Sequence, residues 1–398
     1  MNYTYRIASL QDRDNYIDFI NYVFSFSHRP HDFKALYPQE YRDGFEGKAV
    51  HFLALNETGQ IRAVVAVLPF EMQIASYRLS CGFIGSVSVH PYARGEGHMK
   101  KLMAMANQWM IEHNVDLAIL DGKRQRYQYY GYSKGGAMFY YNINKDNIRH
   151  GLKNIDTTPY RIIPVTDSAD DVLERIHDIH SRAQVHVNRD FSQIYYILTG
   201  GNRRLYSVWK GEHFDGYLSA SEDDSLCELV LSDISDYAPV INLWGHTCQA
   251  DRFQVFAMSW DRALTDTLDT FAEAAHIQPG GNIKIFNWEH ALPAMLSLKQ
   301  IAAGPLSDGH CCLSLHGKKM GLCVENGNIT IAAEDPASPA KPALNSCTDN
   351  SCNEDIPSGL SLQEKIFSTG AFLHPQTVNR EPTDWFPIPF ALPLPDHF

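Results

Sequence analysis

Two stretches of the chain carry residue types whose spacing could do chemistry. In Gly85-Ser86-Val87-Ser88-Val89-His90-Pro91-Tyr92-Ala93-Arg94-Gly95-Glu96-Gly97-His98-Met99, an alternating apolar run gives way to a glycine loop and then to a helical start. Glycines let the backbone approach a ligand, and unpaired N–H groups at a helix N-terminus suit a pyrophosphate. The plainer reading is that Gly95 and Gly97 only ease a tight strand-to-helix turn. In the second stretch, Tyr127-Gln128-Tyr129-Tyr130-Gly131-Tyr132, the hydroxyls either pack satisfied in a core or serve as proton donors. The chain has no GxxxxGK(S/T) phosphate loop, no GxSxG elbow, no HExxH and no paired CxxC. His90 and His98 flank the glycine loop and are read as structural. His180 and His186 lack a third ligand at metal spacing, so no metal is expected.

Val87-x-Val89-x-Pro91, then Arg94-x-x-Gly97 and a helix, resembles the acetyl-CoA-binding motif of the GNAT superfamily of N-acetyltransferases. Residues 127–132 look like the Tyr-x-x-(Phe or Tyr)-Gly-Tyr segment of the Eis-type (enhanced intracellular survival) acetyltransferases, which end in phenylalanine as this chain does at Phe398. The resemblance implies an α/β (α+β) architecture of tandem GNAT-like domains with mixed sheets. These would be a catalytic acetyl-CoA-binding unit over 1–155 and a second, degenerate unit over 156–282. A sterol-carrier-protein-like domain over 283–398 would return its tail to the active site. The resemblance also implies that Tyr127 is the general acid and the C-terminal carboxylate of Phe398 the general base. The backbone of Val87, Ser88 and Val89 and the loop of Arg94, Gly95, Glu96, Gly97, His98, Met99 and Lys100 would hold acetyl-CoA, flanked by Gly122 and Lys123.

The implied reaction is direct transfer of acetyl, in a ternary complex, to a primary amine of a cationic acceptor: an aminoglycoside, a polyamine or a lysine side chain. A homohexamer is implied as well. Gly95 and Glu96 stand where Eis-type proteins often carry arginines, and Met99 replaces the small residue that closes the general GNAT loop. One acetyl-CoA site per chain is expected, because the second unit has no comparable strand and loop. The competing reading is a non-catalytic protein using the sterol-carrier-like domain for an apolar ligand. The Tyr127, Phe398 and Arg94-to-Gly97 signatures argue against it.

The residue types suit the implied chemistry. Acyl transfer to an amine needs a deprotonated amine, stabilisation of a tetrahedral oxyanion and a proton for the departing thiolate. A tyrosine, with an ordinary pKa of about 10, is not badly matched to a thiol near 8.5. A terminal carboxylate near 3.5 is a feeble base toward an ammonium near 10.4, unless the amine is desolvated or water relays the proton. It would also hold the cation in place. Splayed N–H groups near Val87 to Val89 could bind the oxyanion, which requires a local disruption of that strand. Acids of an acceptor pocket are expected near Asp32 or Glu40 and at Asp396. His397 stands beside the terminal residue.

The elements that must position these groups follow from periodicity. Residues 51–56 and 61–74 read as strands joined at Glu57-Thr58-Gly59-Gln60, and 83–89 as a third. Met99, Leu102, Met103 and Ala106 recur at helical spacing. Strands at 115–120 and 138–143 complete a first unit, and 153–164 reads as a connector. The second unit opens on an amphipathic helix with Val172, Leu173, Ile176, Ile179 and Ala183, followed by strands at 204–210, 217–220 and 226–231. Strands at 311–315, 321–325 and 328–332 imply a small third unit, and the polar stretch 335–359 a loop insertion. The tail 385–398 alternates prolines with apolar residues, the pattern of a segment docked on protein.

A chain of 398 residues with 44% hydrophobic and 20% charged residues supports two or three cores. No apolar run is long enough to span a bilayer, and Met1-Asn2-Tyr3-Thr4-Tyr5-Arg6 lacks a secretory pattern, so a cytoplasmic protein is expected. The net charge of −12 argues against nucleic acid as a partner and favours cationic ones. Eight irregularly spaced cysteines read as free thiols.

Overall fold

The computed structural model describes residues 2–27, 29–248, 250–315, 318–333, 366–367 and 384–398. Its first sheet contains β1 (Thr4–Ile7), β2 (Val50–Leu55), β3 (Ile61–Ile74), β4 (Tyr77–Val89), β5 (Leu117–Leu120) and β6 (Ser133–Gly135). Later in the chain come β7 (Met138–Asn144), β8 (Tyr160–Pro164), β9 (Val185–Val187), β10 (Arg204–Lys210) and β11 (His213–Ala220). They are followed by β12 (Leu226–Leu231), β13 (Arg252–Met258), β14 (Ala274–Gln278) and β15 (Gly281–Ile285). The β2–β3 hairpin turns at the expected residues, with Gly59 at φ 79°. The third strand starts earlier than its apolar run, because polar Arg78 and Ser80 lie on it opposite Gln73 and Glu71.

Alternation gives the first sheet two buried faces. Val64, Ala66, Cys81 and Phe83 share a core with helices Arg13–Ser27 and Trp288–Ala303. Val65, Val67 and Ile84 share the other with Leu102, Met103, Ala106 and Met110 of helix His98–Glu112. The expected helical spacing at Met99 to Ala106 falls on this helix, and Gly97 at φ 84° is its N-cap.

Strand membership differs from the sequence reading. β7, expected to close the first unit, leaves it and runs between β13 and β14 in the second sheet, whose order is β14-β7-β13-β12-β11-β10-β8. The position between β5 and β6 is occupied by β15, which arrives after the second unit and pairs antiparallel with both. β9, also from the second unit, adds to β3. The turn at Gly135 and Gly136 redirects the chain. Gly136 has φ 73°, and a Cβ there would lie 1.6 Å from the Phe390 carbonyl oxygen, so the tail passes directly over the turn. The end of the expected connector is itself a strand, β8, on the edge of the second sheet.

The second unit is otherwise as expected, with helix Asp170–Ser181 followed by β10, β11 and β12. The C-terminal strands Gly309–Leu315, Lys318–Glu325 and Asn328–Ala333 form a three-stranded antiparallel sheet. That sheet and helix Trp288–Ala303 share the first unit's core. The 335–359 insertion lies outside the described residues. Tail residues Trp385, Ile388, Phe390 and Leu392 are fully buried in the same core, which explains the alternation of proline with apolar side chains. Among the described residues, no helix is long and apolar enough to cross a membrane.

Candidate active site

β4 and β5 run parallel and pair only at Cys81, Gly82 and Phe83, after which β4 continues to Val89 without β5 beside it. Where they part, β4 is bulged. Gly85 faces Ala66 and Ser88 faces Val64, so Ser86 and Val87 together oppose Val65. Ser86 takes φ 52°, a left-handed conformation that costs a non-glycine residue about 1–2 kcal/mol. This is the strand disruption the oxyanion argument required. The bulge leaves a residue outside the ladder, with backbone amide groups able to face a ligand in the gap between the strands.

β4 leads through a short 3-10 turn, Pro91–Ala93, into the glycine loop. Gly95 at φ 86° and Gly97 at φ 84° are exposed, and a Cβ on either would meet nothing within 4 Å. The glycines here serve backbone conformation and an open approach. The helix ladder begins with Lys101 N–H donating to Gly97 O, so the amides of His98, Met99 and Lys100 are left at the N-terminus for an outside acceptor. The His98 side chain points away from that task. It is buried edge-on to Tyr3, its Nδ1 lies 3.0 Å from the Tyr5 hydroxyl and its Nε2 3.2 Å from Glu96. His98 can therefore offer a phosphate only its backbone. Glu96 also accepts from the Tyr3 hydroxyl, which keeps that carboxylate turned to the N-terminal strand. Arg94 is exposed and reaches the Ser27 hydroxyl at 3.1 Å. Lys100 and Lys123 are exposed near the same end of the sheet, and Met99 packs partly into the core.

Tyr127 ends the short helix Arg124–Tyr127 and is 6% exposed. Its ring edge packs against Gly122, where a Cβ would come within 2.6 Å of Tyr127 Cε2 and where φ is 137°. The expected flanking residue Gly122 is thus glycine for both a packing and a backbone reason. Burial pushes the Tyr127 phenol above its ordinary value, which keeps it protonated at neutral pH as a general acid must be. Asn282 on β15 fixes the same turn by donating to Gly122 O at 3.1 Å and Leu120 O at 3.3 Å.

Phe398 reaches the other side of the strand gap. It is 8% exposed, and a Cβ on Gly85 would lie 2.5 Å from its ring and 2.7 Å from its carbonyl oxygen. The end of the chain therefore sits one residue from the bulge. Tyr41 stacks on the Phe398 ring with centroids 5.6 Å apart, and Tyr37 meets it edge-on at 5.9 Å. Tyr127 belongs to the core on one face of the sheet and Phe398 to the core on the other.

Two contacts hold the terminus there. His397 Nδ1 lies 2.7 Å from Asp121 and Nε2 3.0 Å from Leu392 O. Both partners are acceptors, so both ring nitrogens donate and the imidazole is cationic in this geometry. Burial works against that charge, but the Asp121 carboxylate outweighs it and raises His397 above its ordinary value. Asp396 is gripped by the buried Arg189 guanidinium, at 2.8 Å and 2.7 Å, and Arg189 makes a second bidentate pair with Glu228 at 2.7 Å and 2.6 Å.

The acids expected for an acceptor pocket are held by protein partners, and two of them, Glu40 and Asp396, line one cavity. Asp32 caps helix Phe33–Leu36, accepting from Lys34 N and Ala35 N. Glu40 accepts from Ala49 N at 2.9 Å against Gly47, and Asp396 pairs with Arg189. Sequence reasoning missed Asp121, Asn282 and Arg189. Their partners lie far away in the chain, and only the Asp121-Gly122 turn had a local signature. Among the described residues no cluster of His, Cys, Asp or Glu could hold a metal ion.

Residues 4–135 match the family model described as an acetyltransferase (GNAT) domain. In sequence, no curated protein matches the chain. In structure, a conserved Enterococcus faecalis protein of unknown function aligns with a TM-score of 0.63 at 16% identity, over 84% of this chain and 85% of its own. A GCN5-related N-acetyltransferase from Anabaena variabilis aligns at 0.60 and 17%, over 84% and 86%. Eis1 from Mycobacterium abscessus aligns at 0.56 and 14%, over 84% and 86%. These likenesses establish the fold across most of the chain. The N-terminal third is an acetyltransferase domain, which makes the chain an acyltransferase with acetyl-CoA as its co-substrate.

Proposed function

We propose that the chain is an Eis-type N-acetyltransferase that transfers acetyl from acetyl-CoA to a primary amine of a cationic acceptor, such as a polyamine, an aminoglycoside or a lysine side chain. The observation that carries this reading is the seating of Phe398 on Gly85, beside the Ser86–Val87 bulge and across the strand gap from Tyr127. A C-terminus brought there by a buried tail supports a carboxylate acting on the reacting amine. Acetyl-CoA supplies the activated acyl group. The glycine loop and the amides of His98 to Lys100 hold its phosphates, bulge amides face the carbonyl oxygen, and Tyr127 holds a proton for the leaving thiolate.

The terminal carboxylate attracts the acceptor's ammonium and takes its proton, directly or through water. Asp121 offsets the charge of His397, so the approach remains favourable to a cation. A cavity of about 340 Å³ between the two units, lined by Glu40, Glu71, Asp190 and Asp396 together with Lys48 and Arg189, supports room for a cationic acceptor near the tail. The resemblance extends this proposal to a cytoplasmic homohexamer with a sterol-carrier-like C-terminal domain.

The test is thiol release from acetyl-CoA against a panel of polyamines, aminoglycosides and basic peptides, with acetyl-CoA binding measured by calorimetry. One site per chain is expected, and Tyr127→Phe should keep that site while lowering turnover by about 10² to 10⁴. Wild-type turnover that survives Tyr127→Phe intact would overturn the assignment of the acid.

A further inference from the structure

Beneath the terminal phenylalanine lies a polar cluster that the proposed chemistry does not use. Tyr41, 1% exposed, places its hydroxyl 2.9 Å from His51 Nε2 and 2.9 Å from Ser86 Oγ. His51 Nδ1 lies 3.1 Å from Ala49 O, and its ring stacks on Tyr16 with centroids 4.0 Å apart. All three side chains are buried, in a region otherwise filled by the apolar core.

The donors can be assigned in order. Ala49 O only accepts, so His51 Nδ1 carries the proton. Burial pushes the imidazole down to about 3, so it is neutral and Nε2 is an acceptor. The Tyr41 hydroxyl must then donate to His51. Its oxygen is left to accept, and the Ser86 hydroxyl donates to it. The series runs one way, from Ser86 to Tyr41 to His51 to Ala49 O, with every member satisfied. It begins at Ser86, the one residue of the bulge in a left-handed conformation.

Resting on the acetyltransferase reading, we propose that Ser86, Tyr41 and His51 are positioning residues that hold the β4 bulge in its oxyanion-binding conformation and tie it to the seat of the C-terminus. The cost of φ 52° at a serine is offset by anchoring its hydroxyl in a buried partner. Tyr41 does two things with one side chain. Its hydroxyl fixes Ser86, and its ring face supports Phe398. The spacing between the oxyanion amides and the terminal carboxylate is therefore set by one rigid aromatic residue. Errors near 1 Å there cost about a hundredfold in rate.

The variants Tyr41→Phe, Ser86→Ala, Ser86→Gly and Tyr41→Phe/Ser86→Ala separate this role from simple packing. Tyr41→Phe keeps the ring under Phe398 and removes only the hydroxyl. It and Ser86→Ala should each lower kcat about 10- to 100-fold, with the acetyl-CoA Kd within about threefold of wild type. The double variant should be no worse than either single one, because both break the same series. Ser86→Gly, free to hold a positive φ without an anchor, should recover most of what Ser86→Ala loses. Amide exchange at Val87 and Ser88 should quicken at least about tenfold in Tyr41→Phe, a readout that needs no acceptor. Additive losses, a Ser86→Gly as poor as Ser86→Ala, or unchanged exchange at the bulge would each overturn the proposal. If the wild-type chain binds no acetyl-CoA, the acetyltransferase reading fails, and the exchange comparison still decides whether the series anchors the bulge.

Discussion

Gly85 sets how close the C-terminus can come to the bulge. A Cβ there would meet the Phe398 ring at 2.5 Å, a distance real side chains do not tolerate, and β4 is paired to β3 and cannot yield. Gly85→Ala should push Phe398 outward and lower turnover by about a hundredfold, while melting temperature and acetyl-CoA Kd stay near wild type. Turnover measured beside calorimetric binding checks this, and equal rates would detach Phe398 from the reaction. Glu40 makes a second residue-level case, through pH. Burial raises its carboxyl to about 7 from an ordinary 4.5, so the folded state binds that proton more tightly than the unfolded state does. Its contribution is full below pH 4.5 and is lost as pH rises through 7, a difference on the order of 3 kcal/mol. Glu40→Gln keeps an oxygen for Ala49 N and removes the titration. It should raise the melting temperature at pH 8 relative to wild type and leave it little changed at pH 4.5. A variant that tracked wild type across that range would contradict the raised carboxyl.

At the scale of elements, the exchange of β7 and β15 binds the first two units together. The first sheet lacks its full width until β15 arrives, and Ile283 and Ile285 carry part of its core. A fragment ending at residue 155 would leave β5 with an open edge, β6 without its partner β15, and β7 without β13 and β14. That fragment should be unfolded or aggregated by circular dichroism and gel filtration, whereas the full chain should be monodisperse. A folded fragment that binds acetyl-CoA would show the exchange to be dispensable. Such an exchange is hard to read from sequence. β7 and β15 have the alternation of ordinary strands, and the choice of sheet is made by Gly135, Gly136 and the tail lying over them. The glycine loop and residues 127–132 were legible because their chemistry sits in contiguous residues at fixed spacing. Ser86 was not, since a serine carries no local mark of a positive φ and the bulge exists only in pairing with β3. Asp121 and His397, 276 positions apart, had no sequence signature as a pair.

The tail makes contacts with all three sheet-bearing regions described. Trp385 donates to Ser307 O at 2.8 Å, Ser259 donates to Pro389 O at 2.8 Å, Asp396 meets Arg189 of the second unit, and His397 meets Asp121 of the first. The Asp396 contact should hold firmly, because a guanidinium shared by two carboxylates in a buried site gains little by opening to water and would leave uncompensated charge. Anchored there, the last two residues have almost no slack: one extended residue spans about 3.5 Å. The terminus is therefore delivered to Gly85 by stabilisation spread over several units, while the chemistry proposed for it is local. Adding a few residues after Phe398 should accordingly leave the melting temperature and acetyl-CoA Kd nearly unchanged, since the anchors at Trp385, Ser259 and Asp396 remain. Turnover should fall by about a hundredfold or more, because the carboxylate becomes a neutral amide and new atoms enter the space of the reacting amine. Deleting Phe398 alone should lower turnover as the extension does, with the new carboxylate on His397 stopping about 3.5 Å short, and should also lower the melting temperature because a buried ring stacked on Tyr41 is removed. The comparison is an N-terminally tagged chain against the same chain extended at its C-terminus, with stability, cofactor affinity and turnover measured on both. Equal turnover at equal stability would leave the tail a structural strap and remove Phe398 from the mechanism. A joint loss of stability and turnover would show instead that the terminus is needed to close the fold.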